Sequence, residues 1–296
     1  MVKIPSYPKI PAYGNPGTGT VFDGPVLVQE KLDGSQIGFG YDSTCDIGVR
    51  SHNVQLNLDD PPKMFRAGVE SILENVSVQF ETAWFYGEYF GGRKQNTIAY
   101  DSIPDGHIAL FDAVIDGEWI DYDQLAAIAK EFNFGVVPVL AEGTFGGISE
   151  LSKFLEMTSV LGGSQVEGVV IKNYGQRITL DNKICPAMAK LVRDEFKEKN
   201  SKAWAKPNVI QVIIESLTSE ARYLKVVQSL RESGELTNSV KDIGPLIKQA
   251  NLDINEEESE WIKEQLYRAF RKQIVKSATK GLPNWYKAYL AEQIEQ

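Results

Sequence analysis

The chain has 296 residues, 43% apolar and 10% aromatic, with a formal charge of −9 at pH 7. That suffices for one large or two modest cored domains and argues against a general nucleic-acid coat protein. The acidic excess lies within residues 1–200, whereas 201–296 is nearly balanced. Any polyanion contact is therefore expected to be local, or helped by the C-terminal part. Two cysteines, Cys45 and Cys185, make no disulfide framework or metal pattern, and His52 and His107 are too scattered for a histidine-based metal centre. The first residues lack a signal-peptide apolar region, and no membrane-length apolar run occurs. A reducing cytosol, with no membrane partner, is the expected location.

In chain order, residues 1–20 are rich in Pro and Gly and read as an extended lead-in. Strands are predicted over Val26–Glu30, Gln36–Tyr41, Ile47–Arg50, Trp84–Phe90, His107–Val114, Gly168–Asn173 and Ile178–Leu180. Asp-Gly pairs at 33–34, 105–106 and 116–117 supply turn chemistry. The last pair, between two apolar runs, signals a hairpin. Pro61-Pro62 opens a predicted helix holding Met64, Phe65, Val69 and Ile72. Asp121 is placed to cap Tyr122–Phe134, with Leu125, Ile128 and Phe132 on one face. Ser149 is placed to cap a short helix carrying Leu151, Phe154 and Leu155.

Near residue 200 strand signals fade and helical periodicity takes over. We place a boundary at about 197–206, dividing 1–200 from 201–296. Helices are predicted over Val209–Leu217, Arg222–Leu230, Pro245–Ala250 and Glu256–Lys276. The last carries Ile262, Leu266, Phe270 and Ile274 at i+4 spacing. Arg268, Arg271, Lys272 and Lys276 form a basic stripe on it, read either as a phosphate-binding face or as a solvated one.

The chemistry-bearing residues come as an ordered series. Glu30-Lys31-Leu32-Asp33-Gly34-Ser35 puts a lysine at a strand end before a tight turn. An amine attacks phosphorus only when neutral, so a nucleophilic Lys31 calls for burial or a nearby cation to lower its pKa. The plain alternative is a hairpin turn with a solvated lysine. Arg50 follows a strand and suits phosphate, or is an ordinary surface arginine. Glu88, inside an aromatic strand, needs a partner: a ribose hydroxyl or an internal cation. Phe111 offers a ring for a base, or for the core. Glu167 and Lys172 bracket an apolar strand, on opposite faces of an ideal one. Glu167 is a candidate Mg²⁺ ligand and Lys172 a candidate α-phosphate contact. Lys190 supplies a last cation, or merely opens a solvated helix. Together the series suits gripping a nucleoside triphosphate and activating its α-phosphate.

In the order and spacing of these motifs, residues 25–195 resemble the covalent nucleotidyltransferase superfamily of polynucleotide ligases and mRNA-capping enzymes. The resemblance implies an α+β fold: an antiparallel-sheet adenylation domain followed by a small all-helical C-terminal domain. It implies that Lys31 forms a lysyl-nucleotide, with Asp33 and Gly34 shaping its turn and Glu30 facing adenine. It further implies that Arg50 orients ribose or substrate phosphate, Glu88 reads the ribose hydroxyls and Phe111 stacks on the purine. Glu167 would engage metal, and Lys172 and Lys190 the α-phosphate. DNA ligases and capping enzymes append an OB barrel, whereas the helical residues 201–296 and the run Arg193–Phe196 are similar to the nick-sealing RNA ligase 2 branch. That implies ATP as substrate, Mg²⁺ or Mn²⁺, RNA ends in a nicked duplex as partner, and a monomer. Three positions depart from that branch. Met188 stands where a second lysine is common, Asp33 where some RNA ligases have histidine, and Gln36 where asparagine is frequent.

Overall fold

The computed structural model describes residues 2–15, 17–94, 98–193 and 209–294. Two sheets dominate the first part. The first runs β10 (Lys183–Val192), β9 (Gly168–Leu180), β1 (Val26–Lys31), β8 (Val139–Gly143), all antiparallel. The second runs β3 (Gly48–Ser51), β2 (Ser35–Tyr41), β4 (Ala83–Tyr89), β5 (Ile108–Ile115), β6 (Glu118–Trp119). A two-residue strand, β7 (Gly135–Val136), adds to β5 in parallel, the one exception to an antiparallel architecture among the described strands.

The Asp33-Gly34 turn is not a hairpin. It carries the chain from β1 in the first sheet to β2 in the second. This corrects the plain reading of that turn and sets Lys31 at the seam between sheets. Asp116-Gly117 does close a hairpin, between β5 and β6, with both residues at positive φ as a type I′ turn requires.

One face of the second sheet packs Ile37, Phe39, Val49 and Phe85 against α1 (Arg66–Asn75) and α2 (Tyr122–Glu131). Phe39 and Phe85 stack at 5.3 Å. Asp121 and Gln124 form a full capping box on α2, which satisfies orphan amides at its start. Pro61-Pro62 do not open α1, which begins at Arg66. The Ser149 helix is instead two short 3-10 turns, Ile148–Glu150 and Ser152–Glu156. The first sheet buries Val26, Val28, Val169, Ile171 and Ala189 on one face. Between the sheets lie Tyr7, Tyr86, Cys185 and Met188.

Residues 168–180, expected as two strands, form one, and residues 187–192, for which a solvated helix start is the plain alternative, are strand. Pairing along β9 decided both, through a partner sequence reading did not assign.

Beyond the sheets come α3 (Val209–Leu217), α4 (Glu220–Glu232), α5 (Ile243–Ala278) and α6 (Leu282–Ile294). The two helices expected over 245–276 are one 36-residue helix. The expected boundary at 197–206 falls outside the described residues. In the helical part Arg222 is fully buried, held by Asp253 and by Glu258 at 2.8 Å.

Candidate active site

The Lys31 ammonium bonds both oxygens of Glu167 at 2.7 Å. Glu167 ends the loop leading into β9, and Lys31 pairs with Gly168 in register, so backbone pairing brings the two side chains together. Glu88 and Asp33 add their charge to the same spot. Burial depresses the Lys31 pKa, but the charge and hydrogen bonds of Glu167, with Glu88 and Asp33, outweigh it and hold the pKa above its ordinary value. This corrects the expectation that burial or a nearby cation lowers it.

One ammonium cannot neutralise three carboxylates. Burial pushes the Glu88 carboxyl up to about 8, against the pull of Lys31 and with Glu167 and Asp33 adding to the rise. Its Oε2 is buried with no hydrogen-bond partner among the described residues. Glu167 is likewise raised by burial, while Lys31 and Lys190 pull it down.

The turn itself is built for close approach. A Cβ at Gly34 would sit 2.9 Å from the Tyr89 carbonyl and 3.1 Å from Glu88 Oε2, so only glycine fits there undisturbed. The Asp33 amide donates to the Tyr100 hydroxyl at 2.7 Å, and its carboxylate accepts from Ile98 N at 2.8 Å.

A second buried centre lies between the sheets. Lys172 donates to Asp112 Oδ2 and to the Phe111 carbonyl, both at 2.6 Å. Tyr174 donates to the other Asp112 oxygen at 2.7 Å, and Tyr7 donates to Oδ2. Burial lowers the Lys172 pKa although Asp112 opposes it. The Phe111 ring meets Tyr7 edge-on at 4.9 Å and lies 5.3 Å from Lys172 Nζ.

A model of the family described as RNA ligase matches residues 24–192, more than half of the chain. The chain belongs to the RNA ligase family. No curated sequence matches it. Among solved structures it is similar to Naegleria gruberi RNA ligase. An apo variant of that protein shows 17% identity and a TM-score of 0.43, over 63% of this chain and 56% of that one. A variant with ATP and Mn shows 16% identity and a TM-score of 0.43, over 62% and 56%. The chain thus spans 56% of the length of these relatives.

Of the residues expected to act together in this RNA ligase family member, the structure gathers Lys31, Asp33, Gly34, Glu88 and Glu167. Lys190, in β10, lies within electrostatic reach of Glu167. Lys172 and Phe111 belong to the second centre. Glu30 projects from the other face of β1. Its Oε2 accepts from Val160 N at 3.0 Å, while Oε1 is buried with no hydrogen-bond partner among the described residues. Arg50 spends its guanidinium on the carbonyls of Ser51, Ile4 and His52. Met188 is fully buried with its sulfur 3.1 Å from the Tyr7 hydroxyl oxygen, so a core residue fills the place of the second lysine.

Sequence reasoning missed three participants. Asp112 sat beside Phe111 and went unassigned, although a lone acid in an apolar strand is itself a signal. Tyr7 lay in the lead-in, where no periodicity marks it. Glu232 of α4 is 3% exposed, with its carboxyl pushed up to about 7 by burial, against hydrogen bonds from Gln228 and Ser35. Nothing local could connect it to residue 35.

Among the described residues no three acidic, histidine or cysteine side chains cluster closely enough to hold a metal. Mg²⁺ commonly binds through one or two carboxylates, with water and substrate phosphate completing its shell. Glu167 is a hard carboxylate donor that fits such a site.

Proposed function

We propose that this chain is an ATP-dependent RNA ligase that joins a 3′-hydroxyl to a 5′-phosphate through a lysyl-AMP on Lys31. The observation that carries this reading is the Lys31–Glu167 pair at the sheet seam, inside a carboxylate-lined site of a chain belonging to the RNA ligase family.

Once the Lys31 ammonium has given up a proton to solvent, its neutral Nζ attacks the α-phosphorus of ATP. The N–P bond forms, the bond to the bridging oxygen breaks, and pyrophosphate leaves. AMP passes to the RNA 5′-phosphate, freeing the lysine. The 3′-hydroxyl then attacks that 5′-phosphorus and expels AMP. Each displacement is in line, so positioning and charge neutralisation dominate. Mg²⁺ or Mn²⁺ on Glu167 would neutralise phosphate charge and take up the carboxylate that keeps Lys31 protonated.

Lys190 is assigned to the α-phosphate and Glu88 to the ribose hydroxyls. The half-buried Phe111 ring receives the purine, and the unpartnered Glu30 oxygen suits the adenine amino group. Lys172 is assigned to the α-phosphate only if that anion displaces Asp112. Arg50 reaches ribose or substrate phosphate by exchanging one of its carbonyl partners. The helical residues from 209 onward serve as the RNA-binding part. There Arg268, Arg271, Lys272 and Lys276 are all exposed along α5. A nicked duplex, bound by a monomer, is the favoured partner.

Incubation with α-labelled ATP, then acid treatment, tests the reading. An acid-labile adduct is expected, with none in Lys31→Ala; an adduct persisting in that variant would refute the assignment.

A further inference from the structure

The turn that carries Lys31 is anchored from two sides. On one, Asp33 is held by Ile98 and Tyr100. On the other, the anchor comes from the helical part. Gln228 of α4 donates through Nε2 to Ser35 Oγ at 3.1 Å and reaches the Gly34 carbonyl at 3.4 Å. The same nitrogen donates to Glu232 Oε1 at 2.8 Å, one helical turn on. The Ser35 hydroxyl bonds Glu232 in return, and Ser35 and Glu232 are both buried. Gln228, Glu232 and Ser35 thus close a small polar circuit across some 190 residues of sequence.

This circuit touches the reacting group through one intermediary. Gly34 lies so close to Glu88 and Tyr89 that an added Cβ would collide with both, and Glu232 is near enough to raise the Glu88 pKa. Shifting the Gly34 carbonyl would therefore shift both Lys31, three residues earlier, and the carboxylate beside it. A displacement of about 1 Å at a reacting group can cost on the order of a hundredfold in rate. A second contact between the two parts, Asn53 Nδ2 to Ser229 Oγ at 2.7 Å, lies outside the turn.

We propose that Gln228 and Glu232 are positioning residues for the nucleophile turn, so that the helical part participates in lysine adenylylation and not in RNA binding alone. This rests on the lysyl-AMP reading above.

The test is single-turnover adduct formation on the full chain, with no RNA present and ATP varied. Losing the Gln228 hydrogen bonds should lower the rate constant at saturating ATP about five- to tenfold in Gln228→Ala, with little change in the KM for ATP. Glu232→Gln, which keeps an acceptor for Gln228, should lie close to wild type, whereas Glu232→Ala should resemble Gln228→Ala. Asn53→Ala should adenylylate normally. Should Gln228→Ala not fold, Ser35→Ala breaks the circuit from the other side and decides with the same expected fall. Folded Gln228→Ala at the wild-type rate would overturn the proposal, as would an equal fall in Asn53→Ala, which would reduce the contacts to mere docking. Failure of the lysine reading looks different: wild type would then form no adduct, or Lys31→Ala would still form one.

Discussion

Lys31 and Glu167 meet as a two-pronged ion pair, with both carboxylate oxygens 2.7 Å from the ammonium nitrogen. The nucleophile of the proposed reaction therefore rests in its unreactive, protonated form, held by the residue proposed to take the metal. Replacing Glu167 by Gln removes the main charge that raises the Lys31 pKa. The pH at which Lys31 becomes reactive toward an amine-directed acylating probe should fall in that variant. Adduct formation from ATP should fall as well, because the metal loses its carboxylate. An unchanged pH midpoint would disprove control by Glu167.

Glu88 links stability to pH. Its folded-state pKa is raised to about 8 from 4.5, so between those values the folded chain holds a proton that the unfolded chain has released. Its stabilising contribution is complete below the unfolded value and is lost as pH rises through about 8. Thermal melts from pH 5 to 9 should show Glu88→Gln declining less steeply with pH than wild type. Parallel curves would contradict the assignment.

Asp112 neutralises a lysine that is only 1% exposed. Asp112→Ala strands that charge, and breaking one side of a buried pair costs about 3–5 kcal/mol. Tyr7→Phe removes one hydrogen bond to the same carboxylate and should cost about 1 kcal/mol. Urea unfolding measures both. Joint replacement of Asp112 and Lys172 by apolar residues should recover much of the loss, because no uncompensated charge remains.

Gly34→Ala separates activity from stability. The added methyl would press on the Tyr89 carbonyl and the Glu88 carboxylate, displacing the turn without touching the hydrophobic core. Adenylylation should drop by at least about tenfold, while the loss of stability stays within the roughly 1–3 kcal/mol usual for local overpacking. Near-normal adduct formation would show that the turn has slack.

On α5, Arg268 is partly occupied by Glu264 at 2.8 Å and Arg271 lies 5.9 Å over the Tyr267 ring, whereas Lys272 and Lys276 are exposed. If the stripe meets phosphates, Lys272→Ala with Lys276→Ala should lower the log–log salt slope of RNA affinity by about two units. Self-adenylylation should be unaffected. An unaltered slope would assign the stripe to solvent.

Much was legible from local pattern. The Asp121 cap, the Asp116-Gly117 hairpin and the helices over 209–217 and 220–232 follow from turn chemistry and periodicity, which act over a few residues. The ordered motifs of residues 25–195 likewise carried the family, since each reactive group keeps its strand or turn context. Three further matters were decided only by contacts between distant segments. Asp33-Gly34 joins two sheets rather than a hairpin because β1 pairs with β8 and β9 while β2 pairs with β3 and β4. The Lys31 pKa rises because the register beside β9 delivers Glu167, a charge no local window contains. Residues 187–192 become strand because β9 offers a ladder, which outweighs their modest helical leaning. Side-chain type and short-range spacing travel with the chain. Charge balance and strand partnership belong to whatever the fold sets alongside.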